Sequence, residues 1–367
     1  MRLIFHIGSP KAGSTSLQVA LAANHALLAE RGILYPAIGS AAHHTDLASG
    51  LHSPEAMRDI DLRRNGNDPR AVMRRTQAAW QSVADQVAKH RPETLILSAE
   101  NFLSIDDFAT LREWLERIAP GAQTTSITYL RAPVPNHESK ISQRLGRTWQ
   151  VRLPSLLPWH ARLMRWKDIG AVHVRDLAAV GDVRTDFIET VRQGLASTVL
   201  MPGRNANVSL TGESCIALQA VMMNGENGDA TAYTERSRAW RERLAKAEVT
   251  LGGSFTLRRV SVNSAVRWLI LDAWHEEALA LREDFDLLFD EPALYDRAEI
   301  DRGLVDTGAR ERAFAETDPL SRFLDNDQVA ALWLLAHAAE QGSASRRSAV
   351  LTKMKGTLKR IVRKGFR

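Results

Sequence analysis

Short apolar runs alternate with amphipathic stretches over the first half of the chain. Leu3–Ile7, TLILS (94–98), TSITYL (125–130) and AVHV (171–174) have the length and β-branched content of buried strands. Between them lie helical patterns: Ser14 to Arg31, stopped by Gly32, then Pro69 to His90, 106–118 and Pro133 to Leu145, with Pro133 in the first turn. A further helix is expected at Asp186–Leu195. A polar loop bearing histidines separates the first helix from the second, around Ala37–Pro54. Strands separated by helices predict a parallel sheet with right-handed crossovers.

After about residue 205 the strand signals fade. Helical spacing takes over at 212–224, 234–249, 262–284 and 326–340. The expected class is α/β, a parallel β-sheet flanked by helices, with a mainly helical C-terminal half. The expected division is an α/β core over 1–205, a helical extension over 206–342 packing on that core, and a basic segment over 343–367. No internal repeat or low-complexity tract interrupts it.

Composition narrows the classes. The chain has 367 residues, of which 44% are hydrophobic and 25% charged, enough for a substantial core with an ordinary surface. Cys215 is the sole cysteine, which excludes an intrachain disulfide and a cysteine-based zinc site. The opening run MRLIFHIG leads straight into a glycine turn and is too short for a signal-peptide core, and no apolar run reaches membrane-spanning length, so the expected location is cytoplasmic. The net charge of +5 hides an asymmetry, because nine of the 48 basic residues fall within 346–367, which holds no acid. The remaining 39 basic residues face 43 acidic ones, leaving the body slightly acidic and no nucleic-acid binder.

HIGSPKAGSTSLQ (6–18) is the stretch with the most specific chemistry: a strand, a turn with two glycines, and a helix start. A nucleotide-triphosphate loop, G-x-x-x-x-G-K-[ST], carries its lysine directly after the second glycine. Here Gly8 and Gly13 have that spacing and Thr15 the hydroxyl position, but Ser14 takes the place of the lysine. Lys11 lies three residues earlier and meets a ligand from the loop side. Amides of Ala12, Gly13, Ser14, Thr15 and Ser16 and the hydroxyls of Ser14 and Thr15 would hold a phosphate at the helix N-terminus.

Pro10-Lys11-Ala12-Gly13-Ser14-Thr15 resembles the 5′-phosphosulfate loop of sulfotransferases that use 3′-phosphoadenosine 5′-phosphosulfate (PAPS), roughly P-K-[ST]-G-[ST]-[ST]. Ala12 departs from it, since a hydroxyl is common there. A second motif of that family is an arginine at a strand end with a serine eight residues on. In TSITYLRAPVPNHES these are Arg131 and Ser139, and Pro133 matches the family's R-x-P pattern. Arginine offers a bidentate fork to the 3′-phosphate and serine a neutral donor. The resemblance covers roughly 1–200 and is nearest to bacterial carbohydrate-type sulfotransferases. It implies a P-loop-type sheet, PAPS as sulfuryl donor, 3′-phosphoadenosine 5′-phosphate (PAP) as product, no metal, and a carbohydrate hydroxyl as acceptor. GDVRTDFIETV (181–191) and NVSLT (207–211) resemble later family segments more loosely.

Sulfuryl transfer is in-line attack by an acceptor oxygen with loss of a phosphate oxygen, so a lysine at the bridging oxygen is the group required. An acceptor hydroxyl also needs a base. LSAEN places Glu100 at a strand's carboxyl end, the edge where open α/β sheets bind ligands, and carbohydrate-type members often use glutamate there. The competing base is His44 of AAHHTD, beside His43. Ser98 is a further candidate to touch the sulfate, and Trp149 or Trp159 to stack on a ring. A P-loop kinase and a PAP-binding protein without catalysis remain the alternatives. In LTKMKGTLKRIVRKGFR (351–367) apolar residues recur at helical spacing among lysines and arginines, which suits an anionic membrane surface as well as a solvated tail.

Overall fold

In the structure, a computed structural model, the described residues are 1–39, 41–153, 158–202, 209–223 and 230–340. The basic segment 343–367 and Asn207 and Val208 of NVSLT lie outside them. Five strands form one sheet: β1 (Arg2–Ile7), β2 (Ile33–Leu34), β3 (Thr94–Ala99), β4 (Gln123–Leu130) and β5 (Ala171–Asp176). Their order is β2-β3-β1-β4-β5 and every pairing is parallel. The fold is therefore α/β, with helices flanking the sheet and a helical C-terminal half. β2 escaped the sequence pattern because a two-residue strand has no periodicity to detect.

β1 is central and buried from Leu3 to Ile7. Its alternation sends Ile4 and Phe5 to opposite faces. Ile4 joins Leu17, Leu21, Ile127, Phe187 and Ile188 in the core under α1 (Ser14–Ala23) and the helix Val183–Val191. Phe5 meets Phe102 edge-on at 5.2 Å and Trp166 at 5.1 Å between ring centroids.

The helix expected over Ser14 to Arg31 is two, Ser14–Ala23 and His25–Ala29. Asn24 divides them. Its buried amide donates to Ala20 O at 2.7 Å and to Leu200 O at 2.7 Å, and accepts from Leu200 N–H at 2.8 Å. A side chain bonding backbone on both sides competes with the helix it sits in.

The chain forms two compact units, and each draws on separate stretches rather than dividing at 205. Among the described residues the first comprises 1–132, 158–202 and 276–295, and the second 133–153, 209–275 and 296–340. Side-chain contacts join the separate stretches within each unit. In the second unit, Arg241 donates to Ser142 O at 2.7 Å, Ser237 to Leu145 O at 2.8 Å, and Val262 N–H to Glu138 Oε1 at 3.0 Å, all tying down the helix Pro133–Arg144. In the first, His160 pairs with Asp284 at 2.6 Å and Lys167 Nζ lies 4.4 Å from the Phe285 ring centroid. No helix among the described residues is long and apolar enough to cross a membrane.

Candidate functional site

The loop after β1 is shaped by two close approaches and two left-handed residues. Gly8 N–H still donates to Ala99 O at 3.0 Å, so the loop leaves the sheet hard against β3. A Cβ at Gly8 would lie 2.7 Å from Ser14 Oγ and 2.9 Å from Glu100 Cα, space that only a hydrogen fits. Lys11 (φ 66°) and Gly13 (φ 83°) then reverse the chain into α1. Glycine takes this conformation freely, whereas a lysine there is strained by roughly 1–2 kcal/mol. Gly13 O accepts from Ser16 N–H at 3.1 Å, Leu17 N–H at 3.2 Å and Ser16 Oγ at 2.8 Å.

These bonds sort the loop residues. Ser16 spends both its N–H and its hydroxyl on Gly13 and closes the helix start, a correction to its expected place among the phosphate ligands. Ala12 is buried in the core cluster and its N–H reaches Ser9 O at 3.3 Å, so packing explains why no hydroxyl stands there. Thr15 is exposed. Ser9 Oγ and Ser14 Oγ are buried with no hydrogen-bond partner. An orphaned buried hydroxyl costs on the order of 1–3 kcal/mol, and a ligand oxygen in the cradle would relieve it. The loop therefore fits a phosphate or sulfate group.

Glu100 and Arg131 stand on either side. Glu100 is exposed and opens the short 3-10 turn Glu100–Ser104 directly after β3, in register with β1 through Ile7↔Ala99. Arg131 follows the last residue of β4, the neighbour of β1 on its other side. β1 leads toward β2 and β4 toward β5, so the connections diverge between them, the switch point at which open α/β sheets bind ligands. Ser139 lies on the helix Pro133–Arg144 and belongs to the second unit, whereas Arg131 closes a stretch of the first.

Beneath the loop is a buried polar network that the sequence did not reveal. His6 Nδ1 and Ser98 Oγ are 2.8 Å apart, and Gln18 Nε2 donates to Ser98 Oγ at 3.2 Å. Ser98 N–H donates to His44 Nδ1 at 3.0 Å, while His44 N–H donates to Ser98 O at 2.8 Å. His44 Nε2 is 2.8 Å from Pro36 O, and its ring packs on Tyr35 at 4.4 Å between centroids. Burial pushes the pKa of His44 down to about 3, against a smaller opposing effect of the Pro36 carbonyl, and burial alone pushes His6 to about 3. His44 is thus not a general base: both nitrogens are engaged and its ring anchors the segment before Thr45–Ser49 to β3. Ser98 likewise serves the network. His6 at the strand end was the readable sign, a polar residue where the pattern demands an apolar one.

No family model, curated protein or solved structure significantly matches this chain. The site is read from its own chemistry.

GDVRTDFIETV forms the wall behind Gly13. A Cβ at Gly13 would approach Val183 Cγ2 at 3.2 Å. Asp182 caps the helix Val183–Val191 by accepting from Arg184 N–H at 2.9 Å and also holds the Arg184 guanidinium in a fork, at 3.0 and 2.6 Å. Arg184 reaches Pro202 O at 2.7 Å as well. Tyr129, on β4, donates to Asp186 at 2.6 Å, and Arg175 pairs with the same carboxylate. Phe187 and Trp159 are fully buried packing residues. Among the described residues no group of three His, Cys, Asp or Glu side chains is arranged to hold a metal ion.

Proposed function

We propose that the protein is a PAPS-dependent sulfotransferase acting on a hydroxyl of a carbohydrate or glycoconjugate. One observation carries the reading: the Lys11 loop, Glu100 and Arg131 occupy the carboxyl ends of three adjacent parallel strands, around a cradle with two orphaned hydroxyls. PAPS would supply an activated sulfuryl group on a 5′-phosphate that leaves. The residues of the first unit that would hold it are Gly13, Ser14 and Thr15 at the start of α1, with Arg131 for the 3′-phosphate; Ser139 is proposed with it on the sequence motif alone.

Lys11, in the turn between β1 and α1, would bring its ammonium to an oxygen gathering negative charge on the leaving phosphate. Glu100 would take the proton from the acceptor hydroxyl. Gly8 keeps the backbone of the loop against the end of β3, where Glu100 begins. The basic segment 346–367 supports, on sequence alone, a further association with an anionic membrane surface beside a cytoplasmic enzyme.

Calorimetric titration with PAP and with ATP–magnesium tests the reading on the wild type, Lys11→Ala and Arg131→Ala. Metal-independent PAP binding, weakened at least tenfold by Arg131→Ala, is expected. Binding of ATP–magnesium alone would move the protein to the kinase reading.

A further inference from the structure

The second unit contains a cavity of about 440 Å³, walled by the helix Pro133–Arg144, the segment that follows it, and Trp274. That volume is ample for one or two sugar rings. Lys140, Arg144, Arg147 and Arg152 all line it, and no carboxylate does among the described residues. Two of these are committed to the wall: Arg144 donates to Gln150 O at 2.9 Å, and Arg152 pairs with Glu316. Lys140 is half-buried, and burial lowers its pKa with no carboxylate offsetting the effect among the described residues. A desolvated cation in a cavity without a counter-charge is a receptor for an anion.

A second, independent feature points the same way. His137, one turn before Lys140 and Ile141, is 6% exposed, and its Nε2 is buried without a hydrogen-bond partner. Burial, reinforced by Lys140, pushes its pKa down to about 4, so the ring is neutral near pH 7 and offers a hydrogen-bonding nitrogen rather than a charge. Neutral polar Gln143 and Thr148 share the lining with apolar Ile141 and Trp274. That mixture suits a ligand with hydroxyls, carbon faces and one acidic group.

We propose that this cavity is a binding site for a sugar bearing a carboxylate or sulfate, held by Lys140 and Arg147 with His137 on a neighbouring hydroxyl. The site does not rest on the sulfuryl-transfer reading, and its test is separable from that one. Full-length protein would be titrated with an unsulfated glucuronate-containing tetrasaccharide, its sulfated counterpart, inorganic sulfate, and neutral maltotetraose. Binding of the acidic saccharides but not maltotetraose is expected, and their relative affinities tell carboxylate from sulfate as the recognised group. Lys140→Ala with Arg147→Ala should weaken that binding at least tenfold while the melting temperature and PAP titration stay unchanged, and Lys140→Arg should retain it. Should the double variant fail to fold, the exposed Arg147→Glu alone carries the same expectation. Equal binding of maltotetraose, no acidic binding at millimolar concentration, no loss in the variants, binding of inorganic sulfate as tight as the saccharides, or displacement by PAP would each overturn the proposal. Loss of PAP binding with acidic saccharide binding intact would sink the sulfotransferase reading and leave this one standing.

Discussion

Gly8 and Glu100 meet where β1 and β3 end: a side-chain carbon on Gly8 would lie 2.9 Å from the Glu100 α-carbon. The loop that carries Lys11 and the turn that carries Glu100 are thereby locked at one spacing. Two candidate reacting groups, remote in sequence, share a single steric constraint.

Gly8→Ala should break that spacing. The added methyl meets backbone on one side and Ser14 Oγ at 2.7 Å on the other, and overpacking of this kind costs about 1–3 kcal/mol. Denaturant unfolding should show that loss, and calorimetry a PAP affinity reduced at least tenfold. Gly253→Ala, whose added carbon meets nothing within 4 Å, is the control.

At Gly13 the expected damage has two sources that can be separated. Its left-handed conformation disfavours a side chain, and the Val183 contact crowds one. Asparagine tolerates that conformation better than alanine but meets Val183 equally. Gly13→Asn should therefore melt higher and bind PAP more tightly than Gly13→Ala. Equal losses in the two variants would assign the whole effect to crowding.

Glu100→Gln preserves shape and removes the base. Turnover should fall by about 10²–10⁴-fold, the range for a positioned general base, with PAP affinity unchanged. The acid limb of the pH–rate profile should disappear as well. An intact limb would move the base elsewhere, and His44 is not available for it.

The buried histidines should make the fold acid-sensitive. His6 and His44 hold folded-state pKa values near 3 against 6.5 in the unfolded chain, so the unfolded state binds more protons between those values. Stability is complete above pH 6.5 and is lost as pH falls toward 3. Each histidine accounts for about 2 kcal/mol at pH 5 by linkage. Urea midpoints measured from pH 7.5 to 5 should fall accordingly, and a folded His44→Gln variant should show a shallower slope, by up to one proton.

The helices and long strands were legible because their signals are local. Pro69–His90 carries a proline start, a basic last turn and apolar residues at helical spacing, and it folds over that range. The positions of Arg131 and Glu100 at the sheet edge were legible because each directly follows a strand that the pattern marks, and that of Lys11 because it lies in the glycine-bearing turn after β1. Asn24 was not, since the break it causes depends on Leu200, far along the chain. His44 read as part of a polar loop and a candidate base because nothing near it in sequence signals that Ser98 and Pro36 will take both ring nitrogens.

Residue order alone determined the α/β class and the glycine-bearing turn after β1, because hydrophobic period and turn residues act over a few neighbours. Tertiary structure decided which strands adjoin β1, and hence that Glu100 and Arg131 flank the loop. It decided that His6, Gln18 and Ser98 support the cradle from beneath, and that the chain divides into two interleaved units. It also exposed the basic cavity on the helix Pro133–Arg144. These are outcomes of burial and of polar groups finding partners at long range, and the number of possible partners is too large for local pattern to choose among them.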